Sequence, residues 1–272
     1  THPAADAAAA AAAADAGDGA SGGVSRPRPP EASSTAYILY TSGSTGRPKG
    51  CILTRNALAY YCEAKNMAQG VREGDIVFVA SPHTFDPSLG DFFATWAAGA
   101  VVALAPRSLI FTQLGMCLAN TGATHVTTTP SMLTTISTPL HIPLPNLRVV
   151  VLGGETAPAS LMVAWHSVVP TLLVTYGVTE CCVYQTYDIV HDVCQRRSLG
   201  KPLSRHGCRI LLVREPGDYP FDFLAENEPA DTTAEVWIAG PMVGLGYANA
   251  PELTEERFRV IGKKNLALFQ VA

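Results

Sequence analysis

Leu147-Arg-Val-Val-Val-Leu-Gly-Gly154 is an almost unbroken aliphatic, β-branched run stopped by a pair of glycines. Such a run, with no polar alternation, reads as a strand buried on both faces, as in a parallel sheet. Similar runs recur on both sides of it. Strands are predicted over 36–40, 75–80, 101–105, 125–129 and 171–175. Between them, residues at helical spacing predict helices over 53–67 (behind the possible cap Thr54), 89–96, 114–120, 131–136 and 159–169. Alternation of strand and helix predicts an α/β fold, a mostly parallel sheet covered by helices. In such sheets ligands sit beyond the carboxyl ends of the strands, so the loops after Tyr40, Ala80, Leu152 and Thr175 are expected to meet in one crevice. After about Tyr187 the strands shorten (208–213, 234–239), which predicts a smaller β-rich subdomain on the C-terminal side.

The 272 residues are 47% hydrophobic and only 15% charged, with a net charge of −4. That balance favours a buried sheet and gives no electrostatic reason to expect nucleic acid or an anionic membrane. The longest apolar stretch, 92–105, is too short for a membrane span and contains Gly99. Seven cysteines form no Cys-x-x-Cys pair, which fits reduced thiols and a cytoplasmic location better than a disulfide framework. The histidines, including His83, His125, His166, His191 and His206, show no metal-ligand spacing. Residues 1–34 differ in texture: an alanine run, then glycines and Arg26-Pro-Arg-Pro-Pro30, expected to be a disordered linker. Gly17-Asp-Gly19-Ala-Ser-Gly22 satisfies a dinucleotide fingerprint and Gly19-Ala-Ser21-Gly-Gly23 a nucleophile elbow. Neither follows a strand, so both are read as chance matches. The first residue is Thr and no basic segment precedes an apolar one, so a fragment is expected.

The most informative loop is Thr41-Ser-Gly-Ser-Thr-Gly-Arg-Pro-Lys-Gly50. Its glycines let the backbone approach a ligand, its hydroxyls and amides donate to oxygens, and Lys49 neutralises charge, a phosphate-gripping composition. Pro48 stands where a Walker A loop needs glycine. The alternative is a merely polar, glycine-rich loop.

That segment resembles the signature loop of the adenylate-forming superfamily, which includes acyl-CoA synthetases, luciferases and nonribosomal peptide synthetase adenylation domains. Further matches follow in the family's order: His83-Thr-Phe-Asp-Pro-Ser88, Gly153-Gly-Glu155, Thr175-Tyr-Gly-Val-Thr-Glu180, and Glu235-Val-Trp-Ile-Ala-Gly240 with Gly244-Leu-Gly-Tyr247, Pro251-Glu-Leu-Thr254 and Arg257-Phe258. Together they cover about residues 35–258. The resemblance implies that Thr41, Ser42, Gly43, Ser44, Thr45, Gly46 and Lys49 hold the β- and γ-phosphates of ATP, and that Gly154, Glu155 and Thr156 line the adenine side. Thr175, Tyr176 and Gly177 would also border the nucleotide, with Tyr176 against the purine face. Thr179 would bond the α-phosphate, and Glu180 would coordinate Mg²⁺. Lys49, Thr179 and Glu180 are the implied catalytic residues. For Tyr176 a plain core aromatic, and for Glu180 a surface or cap carboxylate, are the bland readings.

Asp86 narrows the substrate. In amino-acid-activating relatives an aspartate after this phenylalanine pairs with the substrate ammonium, and a buried carboxylate without a cation is costly; a helix cap is the other reading. The implied acyl pocket is Asp86, Pro87, Gly90, Thr127, Val150, Leu152, Thr175, Val183 and Tyr184. Gly90 is expected to leave room for a medium or large, mostly uncharged side chain.

The expected architecture is therefore a truncated large domain of the adenylate-forming fold: linker 1–34, nucleotide-binding core 35–187, and an incomplete β-rich subdomain 188–272. The family's Tyr-Arg-Thr-Gly-Asp segment and lid lysine have no match, and Lys263 and Lys264 do not replace that lysine. Val178 stands for the usual proline and Val174 for a frequent asparagine. The implied activity is ATP-dependent formation of an aminoacyl-adenylate, then transfer to the phosphopantetheine thiol of a carrier domain, within a larger synthetase. An acyl-CoA ligase, or a nucleotide-binding fragment without catalysis, are the alternatives.

Overall fold

The computed structural model describes residues 31–41, 47–136, 143–191, 200–203, 207–213, 234–261 and 266–271. The alanine-rich tract 1–30, the expected phosphate-binding residues Ser42, Gly43, Ser44, Thr45 and Gly46, and Asp192, His206, Lys263 and Lys264 lie outside the described residues.

The first strand departs from expectation. β1 (Thr35–Thr41) is no member of the parallel sheet: it forms an antiparallel hairpin with β2 (Lys49–Thr54). Tyr40 is 61% exposed and Ile38 46%, so β1 is a half-covered strand, not a buried one. The signal missed is that only a few residues separate the two strands, and antiparallel strands can be joined by a short connection. Helix α1 (Arg55–Gln69) follows directly; the Thr54 hydroxyl accepts from Ala57 N–H at 3.0 Å, the expected N-cap. It ends at Gly70 in the left-handed conformation, φ 65°.

The main sheet begins with β3 (Ile76–Val79), and helix α2 (Asp86–Ala97) leads to β4 (Val101–Ala103). Helix α3 (Arg107–Thr121), β5 (His125–Thr128), α4 (Pro130–Leu133), β6 (Val149–Leu152), α5 (Ala159–His166), β7 (Thr171–Tyr176), β8 (Thr186–Ile189) and β9 (Lys201–Pro202) complete it. Strand order is β4-β3-β5-β6-β7-β8-β9; the first five are parallel, and β8 and β9 are added antiparallel. The chain leaves β3 on one side for β4 and returns on its other side as β5. Loops diverge at such a reversal, and the crevice between them is where ligands bind in open α/β sheets. The loop after β3 carries Asp86.

Side-chain alternation assigns the two faces. Phe78, Val126, Val150, Leu152, Leu172 and Val174 pack with Leu114 and Leu118 of α3, Leu133 of α4, and Leu161 and Trp165 of α5. The opposite face presents Val77, Thr127, Val151 and Leu173, all buried. Asp91 of α2 reaches this face: Thr127 Oγ1 donates to its Oδ1 at 3.2 Å, and Lys65 Nζ of α1 lies 3.2 Å from the same oxygen. Lys65 is 1% exposed and Asp91 0%, so a charge pair sits dry between two helices and the sheet.

The C-terminal part forms β10 (Arg209–Val213), β11 (Glu235–Ala239), β12 (Gly246–Ala248), α6 (Pro251–Arg257), β13 (Phe258–Ile261) and β14 (Leu266–Gln270). Four of these strands make an antiparallel sheet, β10-β11-β14-β13, whereas β12 pairs with β2. The expected boundary at residue 187 therefore falls inside β8, and the first hairpin and the last segment share one sheet. None of the described helices is long and apolar enough to cross a membrane. Six described cysteines are free and buried.

Candidate functional site

The loops after β3, β6 and β7 converge as the fold predicts. A Cβ on Gly154, which follows β6 and has φ 84°, would sit 3.4 Å from the Phe85 ring. One on Gly153 would come within 2.6 Å of Tyr184. Only glycine allows these loops to close so tightly over the strand ends.

Asp86 is the first residue of α2. Phe85 is the N-cap and makes no side-chain cap bond. The Asp86 carboxyl is 2% exposed, and its Oδ2 has no hydrogen-bond partner. Burial pushes its pKa up to about 6, against the hydroxyl of Thr179 and the backbone N–H of Val183, which favour the charged form. A carboxylate held dry with one open oxygen is a ready receptor for a cation.

The turn facing it is built by unusual backbone. Cys182 and Val183 both have φ 68°, a left-handed conformation that is a genuine outlier for β-branched valine. Gly177 has no room for a Cβ, which would run into the Val183 carbonyl and Tyr184 Cα. Gln185, 0% exposed, staples this crossing: its Oε1 accepts from Val178 N–H at 2.8 Å and its Nε2 donates to the Cys181 carbonyl at 2.9 Å. No motif pointed to Gln185. Its signal was only a polar residue directly behind an apolar pair.

Glu180 lies on the other side of this turn. Tyr247 Oη donates to Glu180 Oε1 at 2.7 Å, and Lys49 Nζ stands 5.4 Å from the centroid of the Tyr247 ring. Lys49, the first residue of β2, and Glu180 thus share one neighbour. The hairpin is tied in again by Tyr37, whose hydroxyl lies 3.6 Å from Cys182 Sγ. Tyr176 is half-buried, and burial raises its phenol pKa. Thr175 Oγ1 donates to the Leu152 carbonyl at 3.1 Å. Glu155 and Thr156 are exposed; Glu155 Oε1 accepts from Ser131 N–H at 2.6 Å, and Ser131 holds its pKa down.

Two expected pocket positions are corrected. Val150 and Leu152 point into the core beside Leu161 and Trp165, away from Thr127 and Asp91. Because side chains alternate, a register one residue off moves a set to the wrong face; Val151 and Gly153 are the members on the Thr127 side. The room expected at Gly90 is taken: a Cβ there would lie 2.5 Å from Cε1 of Tyr61, a residue of α1 that is 1% exposed. Asp86, Pro87, Thr127, Thr175, Val183 and Tyr184 are all buried and lie outside the core cluster of Val150 and Leu152. His125 is buried between Thr124 and the Gln69 carbonyl, and burial drives its pKa down to about 4. Among the described residues no cluster of His, Cys, Asp or Glu could hold a metal alone.

The site is thus set in an α/β protein with a mostly parallel sheet, a buried acid in the loop after β3, and a Thr-Glu turn against that acid. Comparison with known proteins names the family. The model described as AMP-binding enzyme matches residues 2–248, so this chain belongs to that family, whose adenylate-forming members use ATP. It is 31% identical over 225 residues to Delta-poly-L-ornithine synthetase of Acinetobacter baumannii (strain AB307-0294), covering 82% of this chain and 16% of that protein. It is 34% identical over 243 residues to syringomycin synthase SyrB1 of Pseudomonas syringae pv. syringae, covering 83% of this chain and 37% of that one. The fold is shared with the Vibrio cholerae adenylation domain AlmE, solved with glycyl-adenosine-5'-phosphate: TM-score 0.74, 21% identity, 88% of this chain and 45% of AlmE. The chain thus spans less than half the length of these relatives.

Proposed function

We propose that this chain is the carboxylate-activating part of an amino acid adenylation domain in a multidomain, cytoplasmic synthetase. The observation that carries this reading is Asp86, buried with one oxygen unpartnered. The substrate ammonium would complete its pairing and present the carboxylate toward the Thr179–Glu180 turn. One carboxylate oxygen would attack the α-phosphorus of ATP, and the bond from that phosphorus to the bridging oxygen would break to release pyrophosphate. The chemistry asks for positioning and charge neutralisation. Lys49, with Thr41 and the loop residues between them, would neutralise the leaving pyrophosphate. Thr179 would exchange its contact with Asp86 for an α-phosphate oxygen. Gly154, Glu155, Thr156 and Tyr176 would border the adenosine. The half-buried Glu180 carboxylate is chemically suited to Mg²⁺, a hard cation that keeps several waters and takes few carboxylates; bound there, Mg²⁺ would supply further charge neutralisation. A carrier-domain phosphopantetheine thiol would then displace AMP and take the acyl group as a thioester.

The test uses sulfamoyl-adenosine analogues of a panel of amino acids, each paired with its deaminated counterpart. A native-state ligand present at a hundred times its Kd raises unfolding stability by about 2.7 kcal/mol. Urea unfolding is expected to show this gain for at least one aminoacyl analogue and much less for its deaminated partner. The Asp86→Ala chain should lose the distinction. Equal stabilisation by both partners would favour the acyl-CoA ligase reading and discard the assignment of Asp86.

A further inference from the structure

Gly244-Leu-Gly-Tyr247 has so far been only a matched motif, yet the structure sets it against both ends of the phosphate machinery. Gly244 N–H donates to the Glu180 carbonyl at 2.8 Å, and Leu245 N–H donates to the Ile52 carbonyl of β2 at 2.9 Å. A Cβ on Gly244 would lie 2.8 Å from the Ile52 oxygen and 2.9 Å from that of Glu180, so this residue must be glycine for the turn to thread between them. Two residues on, Tyr247 pairs with Cys51 of β2 in the sheet register, and its N–H donates to Thr254 Oγ1 at 2.9 Å. Its ring packs edge-on against Phe258, centroids 5.3 Å apart. The side chain is thereby fixed from behind, while its front carries the hydroxyl bond to Glu180 and the cation–π contact with Lys49.

We propose that Tyr247 is a positioning residue that couples two groups of the nucleotide site: its hydroxyl sets the rotamer of the Glu180 carboxylate, and its ring sets the path of the Lys49 side chain. A carboxylate that ligates a metal needs an outer partner to hold it, and losing such a partner typically costs 10–100-fold in metal affinity. A lysine stacked on a phenol loses side-chain freedom before the phosphates arrive, so less is lost on binding. The two roles belong to different atoms of one residue and can be separated.

This inference rests on the reading of Glu180 and Lys49 given above, and the experiment keeps the two apart. Binding of mant-ATP to the full chain is followed by fluorescence against Mg²⁺ concentration and in EDTA. In the wild-type protein Mg²⁺ should tighten binding. Glu180→Gln should remove that dependence; if it does not, the reading of Glu180 fails and the coupling with it. Tyr247→Phe keeps the ring, and should raise the half-effective Mg²⁺ concentration roughly tenfold while leaving affinity in EDTA unchanged. Tyr247→Leu should in addition weaken binding in EDTA about threefold, through Lys49. If Glu180→Gln abolishes the Mg²⁺ effect but Tyr247→Phe matches wild type, the coupling alone is wrong. Should Tyr247→Phe fail to fold, Thr254→Val, which leaves the phenol in place and frees its N–H anchor, must still raise the Mg²⁺ requirement; an unchanged requirement overturns the proposal.

Discussion

Replacing Asp86 by Asn isolates the energetic signature of the site. Burial raises the Asp86 pKa from 3.8 to about 6. Between those values the folded protein keeps a proton that the unfolded chain has released, so Asp86 makes stability fall as pH rises through this window. At 1.36 kcal/mol per pKa unit, the full penalty above pH 6 is about 3 kcal/mol. His125 acts oppositely: burial lowers its pKa from 6.5 to about 4, so its contribution grows as pH rises over nearly the same range. The two slopes largely cancel in the wild-type protein, and only a difference curve resolves them. Asn cannot titrate, and any constant cost of its amide is independent of pH. The stability of Asp86→Asn relative to wild type should therefore increase by about 3 kcal/mol between pH 3 and pH 7. By thermal unfolding this is about 6–12 °C of relative Tm for a chain of this size. Parallel curves for the two proteins would mean that the carboxyl is solvated, and would remove the physical argument for a cationic ligand at that position.

Other perturbations follow from the same packing. Lys65→Met leaves the Asp91 carboxylate uncompensated and should cost about 3–5 kcal/mol in urea unfolding, whereas the Lys65→Met/Asp91→Leu pair should recover most of it. Gly90→Ala drives a methyl group into the Tyr61 ring and should destabilise by about 1–3 kcal/mol; Tyr61→Leu in the same chain should relieve it. Gln185→Leu strips partners from Val178 N–H and the Cys181 carbonyl, at a cost of about 2–4 kcal/mol, and should also weaken nucleotide binding.

The fold was legible because its strands are chemically simple. The 147–152 run and its counterparts announce a doubly covered sheet, and Thr54 marks the start of α1 by a hydroxyl that does cap it. Pairing direction was harder to read: β1 resembles the central strands in composition, and nothing in five residues says whether the next strand lies beside it or across a helix. The C-terminal return of β12 onto β2 was invisible for the same reason, since contacts between residues nearly 200 apart leave no local pattern. At the proposed site, residues that sit in matched motifs, such as Asp86, Gly177 and Glu180, could be singled out from the sequence. Gln185 could not, because a buried glutamine has no distinctive spacing, and Tyr247, though part of a matched motif, gave no sign of its contacts with Glu180 and Lys49.

Gly90 shows why a pocket cannot be read position by position. A glycine on a helix facing a ligand site leaves a volume, and the sequence alone assigns that volume to the ligand. Close packing makes an empty volume costly, so any neighbour able to reach it competes. Here the competitor is Tyr61, one helix earlier, which reaches across the α1–α2 contact. Side-chain size at position 90 and at position 61 are therefore one variable for this site, not two. On the proposed reading, a substrate with a bulky side chain gains space only if Tyr61 shrinks while Gly90 stays small. Enlarging Gly90 with Tyr61 intact costs stability without informing specificity, and enlarging it with Tyr61 removed restores the original packing. Any inference of substrate size from this chain has to start from that pair.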